Sequence, residues 1–163
     1  MGELANLTCA QGPVILRTAR RDDVESLVAL LAADQLGATR DGVRDAADMA
    51  AYAVAFDAID ADPAHLLVVA EVGGDLAGTM QLSFLPGLAR RGAVRAQIEA
   101  VRVAARSRGS GLGSAMIGWA VAEARRRGCA LIQLTTDKTR TDAHRFYSRL
   151  GFTASHEGMK LAL

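Results

Sequence analysis

The segment from Val101 to Ser114 constrains the fold of this chain more than any other stretch. It begins as an extended, largely apolar run, passes through a loop with three glycines in five positions, and continues at once into an amphipathic helical pattern. Glycines let the backbone take up unusual angles and approach a ligand closely. The unpaired N–H groups at a helix start point at negative charge. The segment therefore predicts an anion cradle between a strand and a helix, with Arg108 adding a positive side chain.

Two familiar phosphate-binding loops do not fit this segment. A P-loop requires a lysine followed by Ser or Thr after its last glycine, and no lysine stands here. The dinucleotide fingerprint requires glycines at relative positions one, three and six. The sixth position is Ser114 when counted from Gly109 and Met116 when counted from Gly111. What remains is the spacing Arg-x-x-Gly-x-Gly, starting at Arg108.

The remaining periodicities predict a mixed α/β domain. Helical spacing predicts helices over 24–31, 49–59, 112–127 and 143–150. Short apolar or alternating runs predict strands over 14–18, 66–71, 79–84, 93–104, 131–135 and 159–163. Two helices thus precede a run of strands, and two more helices interleave with the closing strands. This order is typical of α+β or mixed α/β folds rather than of a regular doubly wound sheet.

The strand before the glycine loop does not keep a strict alternation. Its apolar anchors are Ile98, Val101 and Val103, and a period of two cannot bring all three to one face. A β-bulge between Ile98 and Val101 would reconcile them.

Composition and charge narrow the class of partner and compartment. The chain has 163 residues, enough for one core, and its 19 basic and 18 acidic residues leave a formal charge of +1. This balance gives no long-range attraction to nucleic acid, and no window is apolar enough to span a membrane. Two unclustered cysteines neither staple a secreted fold nor form a zinc site. We therefore expect a soluble cytoplasmic protein with no nucleic-acid or membrane partner.

Residues 1–12 are expected to form a flexible tail, with residues 13–163 as a single domain. The three histidines, His65, His144 and His156, are not spaced like metal ligands, so no metal site is assigned.

A second motif lies downstream of the glycine loop. Residues 142–152 contain Ala-x-x-Phe-Tyr on a helical pattern that closes on Leu-Gly-Phe. In this order and at this separation, the two motifs closely resemble those of the GNAT superfamily of acetyl-CoA-dependent N-acetyltransferases. The resemblance covers roughly residues 66–163. It implies one domain with a mixed, mostly antiparallel central sheet, whose central strands splay to admit acetyl-CoA and are flanked by helices.

The resemblance also implies where coenzyme A is held. In the family, loop amides hold the pyrophosphate, and the pantetheine arm pairs with the backbone of the splayed strand. Carried over, the strand positions are Val101, Arg102 and Val103. The loop positions are Arg108, Gly109, Ser110, Gly111, Leu112, Gly113 and Ser114.

Two positions depart from the family pattern. Ala104-Ala105 stands where a proline is frequent. Arg140 stands where an asparagine is frequent, which puts a side-chain contact to the pantetheine in doubt.

Catalytic roles follow from the same resemblance. Tyr147 corresponds to a tyrosine that protonates the departing thiolate, and Glu99 to a carboxylate that accepts a proton from the amine. A backbone N–H near Val101 would stabilise the oxyanion. From spacing alone, a core aromatic is the favoured interpretation of Tyr147, and the solvent face of the sheet is the commoner place for a carboxylate such as Glu99. Tyr52 and Phe56 fall where the family binds its acceptor, although core packing explains them equally well.

The predicted activity is transfer of an acetyl group from acetyl-CoA to a primary amine by direct attack. The acceptor, a small-molecule amine or a protein amine, is not named by the sequence, and neither are the acyl-chain preference and the oligomeric state, for which a homodimer is one possibility. A catalytically silent CoA-binding sensor of the same fold is the first alternative. A nucleotide-dependent transferase is the second.

Overall fold

A six-stranded sheet organises the computed structural model, which describes residues 2–34, 37 and 40–162. The strands are β1 (Glu3–Cys9), β2 (Gly12–Thr18), β3 (His65–Val72), β4 (Asp75–Pro86), β5 (Val94–Val103) and β6 (Leu131–Leu134). The helices are α1 (Val24–Ala32), α2 (Ala46–Ala61), the single turn α3 (Ala89–Gly92), α4 (Leu112–Arg126) and α5 (Thr141–Arg149). The strands lie in chain order, and every neighbouring pair is antiparallel except the parallel pair β5–β6. This mixed, mostly antiparallel sheet confirms the predicted fold class.

The two faces of the sheet are covered by different helices. On one face, Met80 and Ile98 pack with Leu112 and Met116 of α4 in the larger core cluster. On the other face, buried residues of α1 and α2 pack against Val69 of β3. Because the side chains of a strand alternate between faces, β3 and β4 contribute to both clusters. Within the described residues, no helix combines the length and apolar character needed to cross a bilayer.

The predicted bulge in β5 is confirmed. Between the pairs Thr79 with Arg102 and Gln81 with Glu99, β5 contains one residue more than β4. Ala100 takes up the extra length with a φ of 53°, in the left-handed region that side chains rarely adopt.

The chain begins with a strand rather than the expected flexible tail. β1 pairs antiparallel with β2 from Glu3 opposite Arg17 to Cys9 opposite Gly12. Ala5, Leu7 and Cys9 pack against the larger core cluster. They alternate with polar residues in the sequence, and this period of two is the signal that the expectation of a tail overlooked.

The predicted last strand is wrong. Residues 152–162 contain no strand, and Met159 and Leu161 are almost fully exposed, while Leu163 lies outside the described residues. The alternation of these residues matches a strand pattern, but a strand also needs a partner to pair with and a face to bury.

A buried arginine ties α1 to the sheet. Arg17 of β2 donates to both carboxylate oxygens of Asp23 at 2.7 and 2.8 Å, just before α1. Its Nε also donates to Glu71 of β3 at 2.8 Å. The hydrogen bonds from Arg17 hold the pKa of Asp23 below its ordinary value, even though burial opposes this shift.

We expect Arg17→Met to lower the free energy of unfolding by about 3 kcal/mol, because it leaves two partly buried carboxylates without their partner. Arg21→Met is the matched control, since the pair that Arg21 makes with Asp57 is solvent-exposed and should contribute at most about 1 kcal/mol. Urea denaturation measures both losses. The Asp23 contribution is complete above the unfolded-state pKa of about 4 and is lost as pH falls through the lower folded-state pKa, so the Arg17→Met deficit should shrink in acid. Equal losses in the two variants would contradict this assignment.

Candidate active site

The opening between β5 and β6 is where most of the predicted site residues meet. The two strands pair only from Arg95 opposite Leu131 to Ile98 opposite Leu134. β6 then ends, whereas β5 continues to Val103 and stays paired with β4 on its other side. Beyond Ile98, the second edge of β5 pairs with no strand in the described part of the chain. The two central strands therefore splay, as the family resemblance implied.

Two carbonyl groups in this part of β5 accept hydrogen bonds from side chains. Nη1 of Arg102 donates to the carbonyl of Val101 at 2.9 Å. Nε of Arg108 donates to the carbonyl of Val103 at 3.4 Å. Neither bond belongs to a sheet ladder, so an extended ligand with its own donors can replace these side chains without breaking the sheet.

The loop between β5 and α4 presents a row of backbone donors. Gly111 is the left-handed N-cap of α4, with a φ of 85°, and it supplies no capping side chain. Ser110 Oγ donates to the carbonyl of Ser107 at 2.7 Å and accepts from the amide of Leu112 at 3.3 Å. Five loop amides donate to no acceptor within the described residues: those of Gly109, Ser110, Gly111, Gly113 and Ser114. Such a row at a helix start suits a phosphate group.

The turn between β1 and β2 donates two hydrogen bonds to this loop, a contact that the sequence analysis did not predict. The amide of Ala10 donates to the carbonyl of Ser110 at 2.8 Å. Nε2 of Gln11 donates to the carbonyl of Arg106 at 2.7 Å. The N-terminal hairpin therefore fixes the loop conformation as well as extending the sheet.

Gly113 lies where three elements meet at the start of α4. A Cβ atom at this position would lie 3.5 Å from Cζ of Phe146 on α5 and 3.7 Å from Cγ2 of Val103 on β5. The loop, the open strand and the helix that carries Tyr147 are therefore packed around one point. The side chain of Leu112, by contrast, is fully buried in the core, so only the backbone of this residue can contact a ligand.

Tyr147 is held in place by aromatic packing. Its ring makes edge-to-face contacts with Phe146 and Phe152, with centroids 5.0 and 5.8 Å apart. Burial raises the pKa of the Tyr147 phenol, and the positive charges of Arg140 and Arg102 offset part of that rise. The phenol therefore stays protonated at neutral pH and can act as a proton donor.

Glu99 and Arg102 lie together on the face of β5 opposite α4. The bulge at Ala100 produces this arrangement, because it separates two residues of the same face by three positions rather than two. Glu99 is exposed and lies opposite Gln81 of β4. The side chain of Arg102 points toward Asp34, just beyond the end of α1, with Nη2 3.5 Å from its carboxylate.

The structure does not bring Tyr52 and Phe56 together with the residues of the opening. Phe56 is buried in the core under α1 and α2 and borders a small hollow of about 170 Å³. The hydroxyl of Tyr52 accepts a hydrogen bond from the amide of Gly42 at 3.0 Å and borders a larger hollow of about 590 Å³. Neither hollow is lined by Glu99, Tyr147 or a loop residue. An acceptor role for Tyr52 and Phe56 therefore stays a prediction.

Among the described residues, no side chains are arranged for metal binding or for thiol chemistry. Across residues 2–34, 37 and 40–162, no three His, Cys, Asp or Glu side chains are grouped to hold a metal ion. Burial raises the pKa of the Cys129 thiol, which keeps it protonated and unreactive near neutral pH.

Comparison with known proteins gives consistent matches over most of the chain. The family model for the acetyltransferase (GNAT) family matches residues 26–152. An aminoalkylphosphonate N-acetyltransferase from Salmonella typhimurium is 31% identical over 141 residues, which cover 86% of this chain and 86% of that protein.

Solved structures agree with this match. A transcriptional regulator from Bacillus halodurans C-125 superposes with a TM-score of 0.87 at 45% identity, covering 92% of this chain and 99% of that chain. A putative acetyltransferase from Agrobacterium tumefaciens str. C58 superposes with a TM-score of 0.77 at 27% identity, covering 91% of this chain and 99% of that chain.

The two glycines Gly111 and Gly118 of the α4 region should respond oppositely to alanine. Gly111→Ala forces a side chain into the left-handed region and should lower the free energy of unfolding by about 1 kcal/mol. Gly118→Ala is the matched control, because Gly118 lies inside α4 with open space around its Cβ position. It should stabilise the protein by up to about 1 kcal/mol. Urea denaturation measures both changes, and stabilisation by Gly111→Ala would contradict the left-handed cap.

Proposed function

The chain belongs to the GNAT acetyltransferase family, and from that membership we propose that it transfers an acetyl group from acetyl-CoA to a primary amine. The family uses acetyl-CoA as its cosubstrate. The observation that carries the proposal is the opening between β5 and β6, which continues along β5 into the loop with its row of amides and lies close to α5, since Phe146 packs beside Gly113 and Val103.

The loop suits the pyrophosphate of coenzyme A. Within the described residues, five of its amides lack acceptors of their own, and they lie at the start of α4, where Gly111 is the left-handed N-cap. Arg108 adds a flexible positive charge, since its single bond to the chain, at 3.4 Å, is long. Val101 and Val103 would then pair through their backbone with the amide-bearing pantetheine arm, along the stretch of β5 that extends beyond the end of β6.

The chemistry requires one proton to leave the amine and one to reach the thiolate. Acetyl-CoA, when bound, supplies the thioester carbonyl that the amine attacks. Glu99 is the carboxylate of β5 on the acceptor-facing side, and we assign it the proton lost by the ammonium form of the amine, passed on through water. Tyr147 donates its phenolic proton to the sulfur as the carbon–sulfur bond breaks. A carbon–nitrogen bond forms in exchange, and the proton that the attacking amine itself then loses returns to the Tyr147 phenolate through water, so that the products are an amide and free coenzyme A.

The environment of Tyr147 supports its assignment as the acid. A donor to a thiolate must be protonated at working pH, and burial favours the neutral phenol. Arg102 and Arg140 favour the phenolate, so the hydroxyl can release its proton during the reaction without a prohibitive cost.

The acceptor that we infer is a small-molecule amine. The Salmonella relative is an aminoalkylphosphonate N-acetyltransferase, and an identity of 31% over 86% of both chains makes its acceptors the first to test.

A second candidate function is the binding of acetyl-CoA without catalysis by a protein of the same fold. The Bacillus halodurans structure, 45% identical to this chain, is described as a transcriptional regulator. In that reading, the loop and the opening bind acetyl-CoA, and the protein acts as a sensor of the acyl-CoA pool. Consumption of acetyl-CoA with a panel of amines separates the two functions, because a sensor binds acetyl-CoA and acetylates none of them.

We expect Tyr147→Phe to lower kcat about 100-fold, the usual scale for loss of a general acid, and to leave the affinity for acetyl-CoA unchanged. Release of the coenzyme A thiol measures kcat, and calorimetric titration measures the affinity. In the wild type, kcat should hold up to the ordinary phenol pKa of about 10, because burial raises the pKa of Tyr147 and only the protonated form donates.

An unchanged kcat in the variant would remove Tyr147 from the mechanism. A fall in affinity with kcat intact would make it a binding residue instead.

A further inference from the structure

A three-residue charge cluster lies where the opening meets the end of α1. The carboxylate of Asp34 is 3.5 Å from Nη2 of Arg102 and 3.2 Å from Nη2 of Arg140. The exposed fractions of the side chains are 14% for Asp34, 13% for Arg102 and 35% for Arg140. We call these three residues the arginine cluster. It joins the end of α1, the open part of β5 and the start of α5.

The arginine cluster carries more positive charge than it can neutralise. Two guanidinium groups share one carboxylate, which leaves a net charge of +1 in a largely desolvated position. Its hydrogen bonding is also incomplete, because Nε of Arg102 and Oδ2 of Asp34 are buried with no hydrogen-bond partner. Buried polar atoms in folded proteins are normally satisfied, so an unpaired guanidinium N–H indicates a missing acceptor.

The surplus charge lies beside the proposed reaction centre. Arg102 and Arg140 are both close enough to Tyr147 to lower the pKa of its phenol. Arg102 shares its face of β5 with Glu99, the proposed proton acceptor. An anion bound by the two arginines would therefore lie near the phenol of Tyr147.

Coenzyme A does not neutralise the surplus positive charge in this arrangement. Its phosphates are assigned to the amides of the glycine loop, and the pantetheine arm that would follow β5 carries no anionic group. The family resemblance also implied a pantetheine contact from an asparagine at the position of Arg140. Here the guanidinium of Arg140 is turned toward Asp34 instead.

We propose that Arg102 and Arg140 bind an anionic group of the acceptor, so that the substrate class is a small amine carrying a phosphonate, phosphate or carboxylate. The unpaired Nε of Arg102 and the remaining N–H groups of Arg140 donate to the anion, and guanidinium groups match such oxyanions in geometry as well as charge. Asp34 is a positioning residue that holds the two guanidiniums together before the substrate arrives. The proposal rests on the acetyltransferase function proposed above.

The test compares matched amines at saturating acetyl-CoA. The anionic amines are 2-aminoethylphosphonate, 2-aminoethyl phosphate and β-alanine, and the neutral amine is 3-aminopropan-1-ol. We expect the wild type to prefer at least one anionic amine, and comparison of the three anionic amines shows which anion it selects. In Arg102→Gln and Arg140→Gln, kcat/KM for that amine should fall about 10- to 100-fold through KM, the scale of one charge-assisted contact. KM for acetyl-CoA should stay unchanged.

Two further variants separate recognition from a structural role. Arg125→Gln makes the same charge change on the exposed end of α4 and should leave the preference between amines unaltered. Arg140→Lys keeps the charge but loses the planar fork, so it should restore only part of the preference. Arg140 is the more exposed of the two arginines, and its variants are the safer ones if Arg102→Gln fails to fold.

The outcomes distinguish this proposal from the proposed function. Equal acetylation of neutral and anionic amines, or a fall that is the same for both in the arginine variants, would overturn the anion site and leave the acetyltransferase function standing. If no amine is acetylated, calorimetric titration with methylphosphonate decides. Binding by the wild type that is lost in Arg140→Gln supports the anion site without the reaction, and no binding by the wild type overturns it. A raised KM for acetyl-CoA alone would assign the arginines to the cosubstrate.

Discussion

The left-handed backbone of Ala100 determines how the site is arranged. Its φ of 53° accommodates one extra residue in β5 opposite β4, directly after the point where β5 and β6 stop pairing. As a result, Val101 continues the apolar face of β5, while Glu99 and Arg102 share the other face. Without the bulge, strict alternation would send Arg102 into the core under α4. One strained residue thus places the backbone proposed to bind the cosubstrate and the side chains proposed to meet the acceptor on opposite sides of the same opening.

The elements around the opening are held by contacts that differ in kind. The glycine loop is held by backbone and side-chain bonds from the β1–β2 turn, and α4 packs on β5 where Gly113 lies beside Val103. On the proposed acceptor side the contacts are electrostatic, since Asp34 connects α1 to Arg102 and Arg140. The proposed phosphate-binding side thus rests on hydrogen bonds to backbone carbonyls, which suits a constant cosubstrate. The proposed acceptor side depends on a charge cluster that single substitutions can retune, which suits variation in the acceptor.

Sequence patterns predicted the parts of the fold that depend on local order. The glycine loop, α4, the strands β3 and β4 and the bulge in β5 all follow from periodicity or glycine spacing within a few residues. The same reasoning missed β1, whose alternation is short, and it wrongly predicted a strand at Met159 and Leu161, which alternate but have no partner. The arginine cluster was out of reach, because Asp34 and Arg140 lie 106 residues apart and only the folded chain brings them together. Tyr147 was singled out by resemblance, whereas its aromatic packing and its neighbouring arginines came from the structure.

Acetyl-CoA is proposed to bind across the glycine loop and along the open edge of β5. Amide NMR of the isotope-labelled protein during titration with acetyl-CoA, with ATP as a competing nucleotide, tests this binding mode. The amides of the loop from Gly109 to Ser114 and those of Val101 and Val103 should shift together, while the amides in the middle of α2 should not move. Absence of shifts in the loop, or shifts produced at lower concentration by ATP than by acetyl-CoA, would contradict it.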